Sequence, residues 1–295
     1  MTDRYAHLVG SVPAPDPAAA MQLAAGKLGR ALKCLPDGET GDRRNWVLNI
    51  IESFRDHPDV RLVKDGGWTS YDDMPRFGVR PGHRLYGAAL DLGIAKAAAD
   101  ARAEFEALRP QLADGASFQV GIPGDLDLAL FTFGPTGPVR YRRPFTEALG
   151  AAMHEVHGQF GDDAIFQLEV PAELVLLARA PAPARPALAT MLGRGIGALA
   201  QAGPPGARFG VHLCLGDMNH QALGRVTDAS PLTQLSNAIA RRWPRERTLE
   251  YLHLPLAAAD DPPATDASFY APLAGSGSVP ASGSSPGSLM RSRTW

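Results

Sequence analysis

Residues 209–217 read Phe-Gly-Val-His-Leu-Cys-Leu-Gly-Asp, and the reading of this stretch decides the fold. An apolar run that stops at a Gly-Asp turn has the length and the ending of a buried strand. His212 and Cys214 are two apart on that strand, so alternation sends both side chains to one face at its C-terminal end. Five further runs have the same form: 7–11 (HLVGS), 32–36 (LKCLP), 118–122 (FQVGI), 165–170 (IFQLEV) and 250–254 (EYLHL). A weaker one, 60–63, precedes the Gly66-Gly67 turn. Helical patterns fall between them, over 17–28, 44–54, 88–112, 144–160, 186–201 and 232–243. The first has Pro17 at its start and Gly29 at its end, the usual asymmetry of helix termini. Strand and helix in alternation predict parallel strands joined by crossover helices. Seven such strands before residue 256 fit an open doubly wound sheet or an α/β barrel of the (βα)8 TIM type, lacking strand eight and its helix. No G-x-G-x-x-G follows the first strand and no G-x-x-x-x-G-K-[ST] occurs, which removes the main support for a nucleotide-binding doubly wound sheet.

Composition sets the class. The chain has 295 residues, 29 Lys+Arg against 31 Asp+Glu, and 45% hydrophobic residues. The length suits one barrel-sized domain, and a net charge of −2 gives no global pull toward nucleic acid or an anionic membrane. Two cysteines, Cys34 and Cys214, make no disulfide framework and predict a reducing, cytoplasmic setting. No apolar run is long enough for a membrane span, and the N-terminus lacks the apolar core of a signal peptide. The chain divides at residue 274. Seven serines occupy 1–274 and another seven occupy 275–295, where 13 of 21 residues are Gly, Ser or Pro. We therefore read 1–274 as the barrel-like domain and 275–295 as a disordered tail standing where the eighth strand belongs. A shift of reading frame near residue 274 accounts for that switch, and an authentic flexible terminus is the plain alternative.

The residues with chemical potential sit at predicted strand ends. His212 and Cys214 offer nitrogen and sulfur ligands of the kind that hold Zn2+, against the plain reading of a small buried thiol and a packed histidine. After 32–36 comes Leu35-Pro-Asp-Gly-Glu-Thr-Gly-Asp-Arg-Arg-Asn-Trp46, which crowds Asp37, Glu39, Asp42, Arg43, Arg44 and Asn45 into one loop at a helix start. Glu39 is placed to hold an amino-acid-like ligand while Asp42 caps the helix. Exposed amides at Gly10-Ser11 suit a carboxylate. Gln167 and Glu169 share one face of their strand, and Tyr251 and His253 share one face of theirs. His7, His57, His83, His154, His157 and His220 read as surface or packing residues.

Taken in chain order, Val9-Gly-Ser11, Asp37-Gly-Glu39, Gln167-Leu-Glu-Val-Pro-Ala172 and His212-Leu-Cys214 resemble the catalytic barrel of cobalamin-independent methionine synthase. They look closer still to the short stand-alone proteins of its superfamily, which includes uroporphyrinogen decarboxylase and zinc-dependent coenzyme M transferases. The resemblance runs to about Pro255. It implies a barrel in which Gly10, Ser11, Asp37, Glu39, Arg43 (or Arg44), Asn45 and Gln167 bind substrate, with Glu39 and Glu169 as its catalytic carboxylates. It also implies Zn2+ on His212 and Cys214. The family completes its zinc site with a Glu and a further Cys. This chain offers Glu250 and His253 on opposite faces of one strand, with His253 nearer the matching position, and it has no third cysteine. The chain is too short to include the folate-binding half of the synthase.

Three readings follow. The first is zinc-dependent transfer of a methyl or alkyl group to a small thiol, from an alkyl donor entering over the barrel mouth, with no nucleic-acid or membrane partner. The second is a metal-free, decarboxylase-like enzyme on the same barrel, with His212 and Cys214 as packing residues. The third is a truncated barrel with impaired or no catalysis.

Overall fold

The parallel sheet begins at β1 (Cys34–Pro36) and continues through β4 (Ser117–Pro123), β5 (Ala164–Glu169), β6 (Arg208–His212) and β7 (Thr248–Pro255). Every neighbouring pair in it is parallel. This computed structural model describes residues 5–260 and 262–277 and the backbone of 288–292, without the side chain of Asp42. Most of the predicted tail, and the capping role given to Asp42, lie outside the described residues. The five strands curl into a half-barrel flanked by helices. Backbone β8 (Ser288–Ser292) runs parallel to β7, with Tyr251 opposite Ser288 and Pro255 opposite Ser292. The expectation that no strand follows β7 is corrected to that extent, since an unpaired edge readily takes another segment.

The crossover helices are α3 (Ile94–Leu108), α6 (Arg142–Phe160), α8 (Arg185–Ala202) and α9 (Ser230–Arg242). Their apolar faces, with residues such as Phe105, Phe160 and Ile239, pack on the convex side of the sheet against strand residues such as Phe118 and Phe209. Each buried side chain of this kind contributes about 1.5–3 kcal/mol. Helix α1 (Pro17–Leu28) starts as its sequence predicts: Asp16 Oδ1 accepts from Ala19 N at 2.8 Å, and Gly29 ends it at a φ of 47°. Among the described residues no helix is long and apolar enough to cross a membrane.

Several predicted elements change partner. The segment at 7–11 is no ladder strand. Ala6 N donates to Ala31 O and Val12 N to Gly38 O, both at 2.8 Å, but the chain between them bows into the concave side. There Gln119 Nε2 donates to Leu8 O (3.0 Å) and Val9 O (2.7 Å), and Gln167 Nε2 donates to Val9 O (2.6 Å). Two buried amide side chains need acceptors, and these carbonyls supply them. The weak strand at 60–63 forms β2 (Val60–Lys64), which pairs antiparallel with β3 (Arg76–Val79) in a separate hairpin. The strand predicted at 209–215 ends at His212, because the chain turns away through Gly216 at a φ of 82°. Cys214 therefore sits in a loop, and the alternation argument for it fails.

The helical patterns do not cover α4 (Asp125–Phe133) or α7 (Pro171–Arg179). Their first turns gather three buried carboxyls, Asp125, Asp127 and Glu173. Asp127 Oδ1 accepts from Ala172 N at 2.8 Å, so one helix caps the next. Asp127 and Glu173 lie against each other, and Asp127 Oδ2 and Glu173 Oε2 have no hydrogen-bond partner, an arrangement that favours a proton held between them. Burial, then the neighbouring carboxyl, pushes Asp127 well above the usual carboxylate range. A carboxyl raised on folding stabilises fully below its unfolded pKa, and that stability is lost as pH climbs toward the folded value. Each pH unit in that window costs about 1.4 kcal/mol for the retained proton. Asp127→Asn keeps the acceptor for Ala172 and a donor for Glu173. Its Tm relative to wild type is expected to rise between about pH 5 and about pH 8. A difference that stays flat across that range removes the shared proton.

Candidate active site

The concave face of the half-barrel is polar where the convex face is apolar. Arg208, Gly210 and His212 alternate onto one face of β6. Near the strand's start Arg208 bonds Glu250 and Ser117 Oγ. At its end His212 Nδ1 meets His253 Nδ1 at 2.6 Å. Gly210 between them lies under the ring of Tyr251. The Tyr251 hydroxyl donates to Gln167 Oε1 at 3.1 Å. Glu250 is thus spent on Arg208, and His253 is the strand's contribution to the His212 end.

His7, read from sequence as a surface or packing residue, lies at the centre of this face. Its Nε2 is 3.0 Å from Gln167 Oε1 and its Nδ1 is 3.6 Å from Cys34 Sγ. Its ring stands edge-on to Tyr251 and 5.1 Å from His253. Burial lowers His7 to about 4 and His253 to about 3, and burial followed by the His253 and His7 charges holds His212 well below the usual imidazole range, so all three imidazoles are neutral near pH 7. Gln167, expected to touch substrate, has both amide atoms engaged within the protein.

The strand ends carry the carboxylates. Glu39 sits at a φ of 46°, held by Ser11 Oγ (2.6 Å) and by its own N–H to Asp37 Oδ1 (3.0 Å). Arg43 pairs with Asp37 at 3.0 Å and lies over Trp46. Arg44 and Asn45 are exposed. Glu39 and Glu169 close over Gly121, where a Cβ would lie 3.1 Å from Glu169 Oε1 and 3.5 Å from Glu39 Oε1. Burial, with each other's charge added for Glu169, raises both above the usual carboxylate range. Gly10 completes the group: a Cβ there would come within 2.6 Å of Glu39 Oε1. The structure thus brings Gly10, Ser11, Asp37, Glu39, Arg43 and Glu169 together, and leaves Asn45 outside.

The implied zinc ligands do not converge. His212 and His253 meet, but among the described residues no three His, Cys, Asp or Glu side chains form a metal-sized cluster. Two imidazole nitrogens on one tetrahedral zinc lie about 3.3 Å apart, from Zn–N bonds of about 2.0–2.1 Å, which exceeds the 2.6 Å found here. Cys214 Sγ instead accepts from Gly216 N at 3.1 Å, and burial pushes its thiol up to about 12. The donor types suit zinc and their arrangement does not. Both cysteines are free thiols.

Backbone strain gathers here too. Among the described residues the non-glycine positions with left-handed φ are Glu39, Trp68, Asn219, His220, Ala258 and Ala259. They occupy the loops after β1, β6 and β7 and the hairpin turn beside them, which is where functional strain concentrates. Compared with protein families, curated proteins and solved structures, the chain matches none.

Proposed function

We propose that the half-barrel is part of a (βα)8-type enzyme whose mouth binds a small thiol with an amine, and that it passes a methyl or other alkyl group to the thiol's sulfur. The observation that supports this reading is the pair of half-buried carboxyls Glu39 and Glu169, both raised above the usual carboxylate range, which close over Gly121 at the C-terminal ends of parallel strands, where barrel enzymes carry their chemistry. An ammonium entering between them favours the ionised form of both and releases a proton the raised pair holds near neutral pH. The Gly10 and Ser11 amides then face the far end of an amino-acid-like substrate. No step is routed through zinc with the ligands placed as they are. That placement favours the metal-free form of the enzyme as a second reading, with His212 and Cys214 packing the floor.

The test is calorimetric. L-homocysteine is expected to bind with release of about one proton, seen as a buffer-dependent enthalpy, and more tightly as pH rises through the range of the coupled pair. Glu39→Gln is expected to abolish both the proton release and most of the affinity. The same thiol without its amine binds at least tenfold more weakly. Equal binding of the two thiols overturns the proposal. Metal analysis separates its versions: stoichiometric zinc lost in Cys214→Ser supports the metal-bound form, and zinc-free protein that binds the thiol supports the other.

A further inference from the structure

The turn joining β2 to β3 reaches across the mouth to the loop that follows β6. Met218 N donates to Tyr71 Oη at 3.2 Å, and Asn219 Nδ2 donates to Trp68 O at 2.7 Å. Gly216 passes so close beneath Tyr71 that a Cβ there would overlap the hydroxyl. The turn is braced from within. Asp73 Oδ2 accepts from Gly67 N, Thr69 N and Thr69 Oγ1, at 3.2, 3.2 and 2.6 Å, and Trp68 Nε1 donates to Glu52 Oε1 at 2.5 Å. The loop opposite has less of its own: Gln221 N to Met218 O at 3.0 Å, Leu223 N to Leu215 O at 2.7 Å, and the Gly216 amide on Cys214 Sγ. Trp68, Asn219 and His220, all left-handed, lie at this one contact. Such conformations persist where neighbours over-determine them, and the neighbours here are the two loops themselves.

We propose that the β2–β3 turn clamps the 213–223 loop and that Tyr71 is its positioning residue, holding Cys214 against the Gly216 amide and limiting approach to its sulfur until the clamp opens. The role is independent of the reaction proposed above. Tyr71→Phe keeps the ring near Phe131, 6.3 Å away between centroids, and removes only the acceptor oxygen. Folded wild type and variant are treated with iodoacetamide, and alkylation of each cysteine is followed by mass spectrometry. Cys34, buried in the concave face, reports opening of the whole fold. Alkylation of Cys214 is expected to rise about fivefold in Tyr71→Phe and in Asn219→Ala, the effect of one lost hydrogen bond on a local opening equilibrium. Cys34 and the Tm are expected to stay unchanged. An unchanged Cys214 rate, or an equal rise at both cysteines, overturns the clamp.

Discussion

Replacing Arg142 by Met is expected to destabilise the fold by about 3 kcal/mol near neutral pH. Arg142 Nη2 pairs with Asp125 Oδ1 at 2.7 Å, and Asp125 is 2% exposed. Thr146 Oγ1 donates to the other Asp125 oxygen at 2.6 Å, and Asp127 and Glu173 crowd the same pocket. The guanidinium is thus the cation facing three buried carboxyls. Removing it leaves a charge that was taken out of water for a partner no longer there. Breaking such a pair costs about 3–5 kcal/mol, and the guanidinium's partial exposure puts this one at the lower end. Asp125→Asn in the Arg142→Met background is expected to return much of the loss. Urea denaturation near pH 7 reads both. A loss under about 1 kcal/mol, or one that Asp125→Asn does not return, shows the pair to be no more than a surface bridge.

What was legible in the sequence follows the physics of each element. β4, β5, β6 and β7 were readable because buried parallel strands are short apolar runs closed by Gly, Pro or a polar turn. The segment at 7–11 has the same pattern, yet its carbonyls go to the side chains of Gln119 and Gln167, residues more than 100 positions away that no local pattern reveals. β2 was visible as a strand but its partner was not, since Arg-Phe-Gly-Val is too brief and too broken by glycine to register. α4 begins Asp-Leu-Asp-Leu-Ala-Leu, an alternation with the period of a strand, and only its place after β4 makes it a helix. At the site, Glu39 was legible because Asp-Gly-Glu puts a carboxylate on a turn that glycine permits. Glu169 was legible because it ends a strand. His7, Tyr71 and the Asp125, Asp127 and Glu173 cluster were not, because each owes its position to tertiary contact. The pairing of His212 with Cys214 rested on a strand two residues longer than the one that forms. The pairing that does form, His212 with His253, comes from register across β6 and β7, where the two residues are direct partners.

Gly210→Ala is expected to couple that register to the mouth. Gly210 lies in β6 between Gln167 on β5 and Tyr251 on β7, so its backbone is tied on both sides. A Cβ would fall inside the ring of Tyr251, which is 2% exposed and has little room to rotate away. Overpacking of this kind costs about 1–3 kcal/mol, and more where the backbone cannot yield. The ring must shift, and with it the bond from the Tyr251 hydroxyl to Gln167 Oε1. Gln167 also holds Val9 O through its Nε2, and Val9 leads directly into Gly10 and the Ser11 hydroxyl that bonds Glu39. A methyl group on β6 therefore loosens the segment that faces the carboxylates without touching either of them. Two readouts are expected to move together: stability falls, and protease cleavage within 6–12 accelerates beyond what the stability loss alone produces. Tyr251→Leu removes the clash along with the hydroxyl. In its background Gly210→Ala is expected to cost less than about 1 kcal/mol, a coupling between the two positions of about 1–2 kcal/mol. Additive effects of the two substitutions, with the 6–12 segment no more open to protease, separate Gly210 from the mouth.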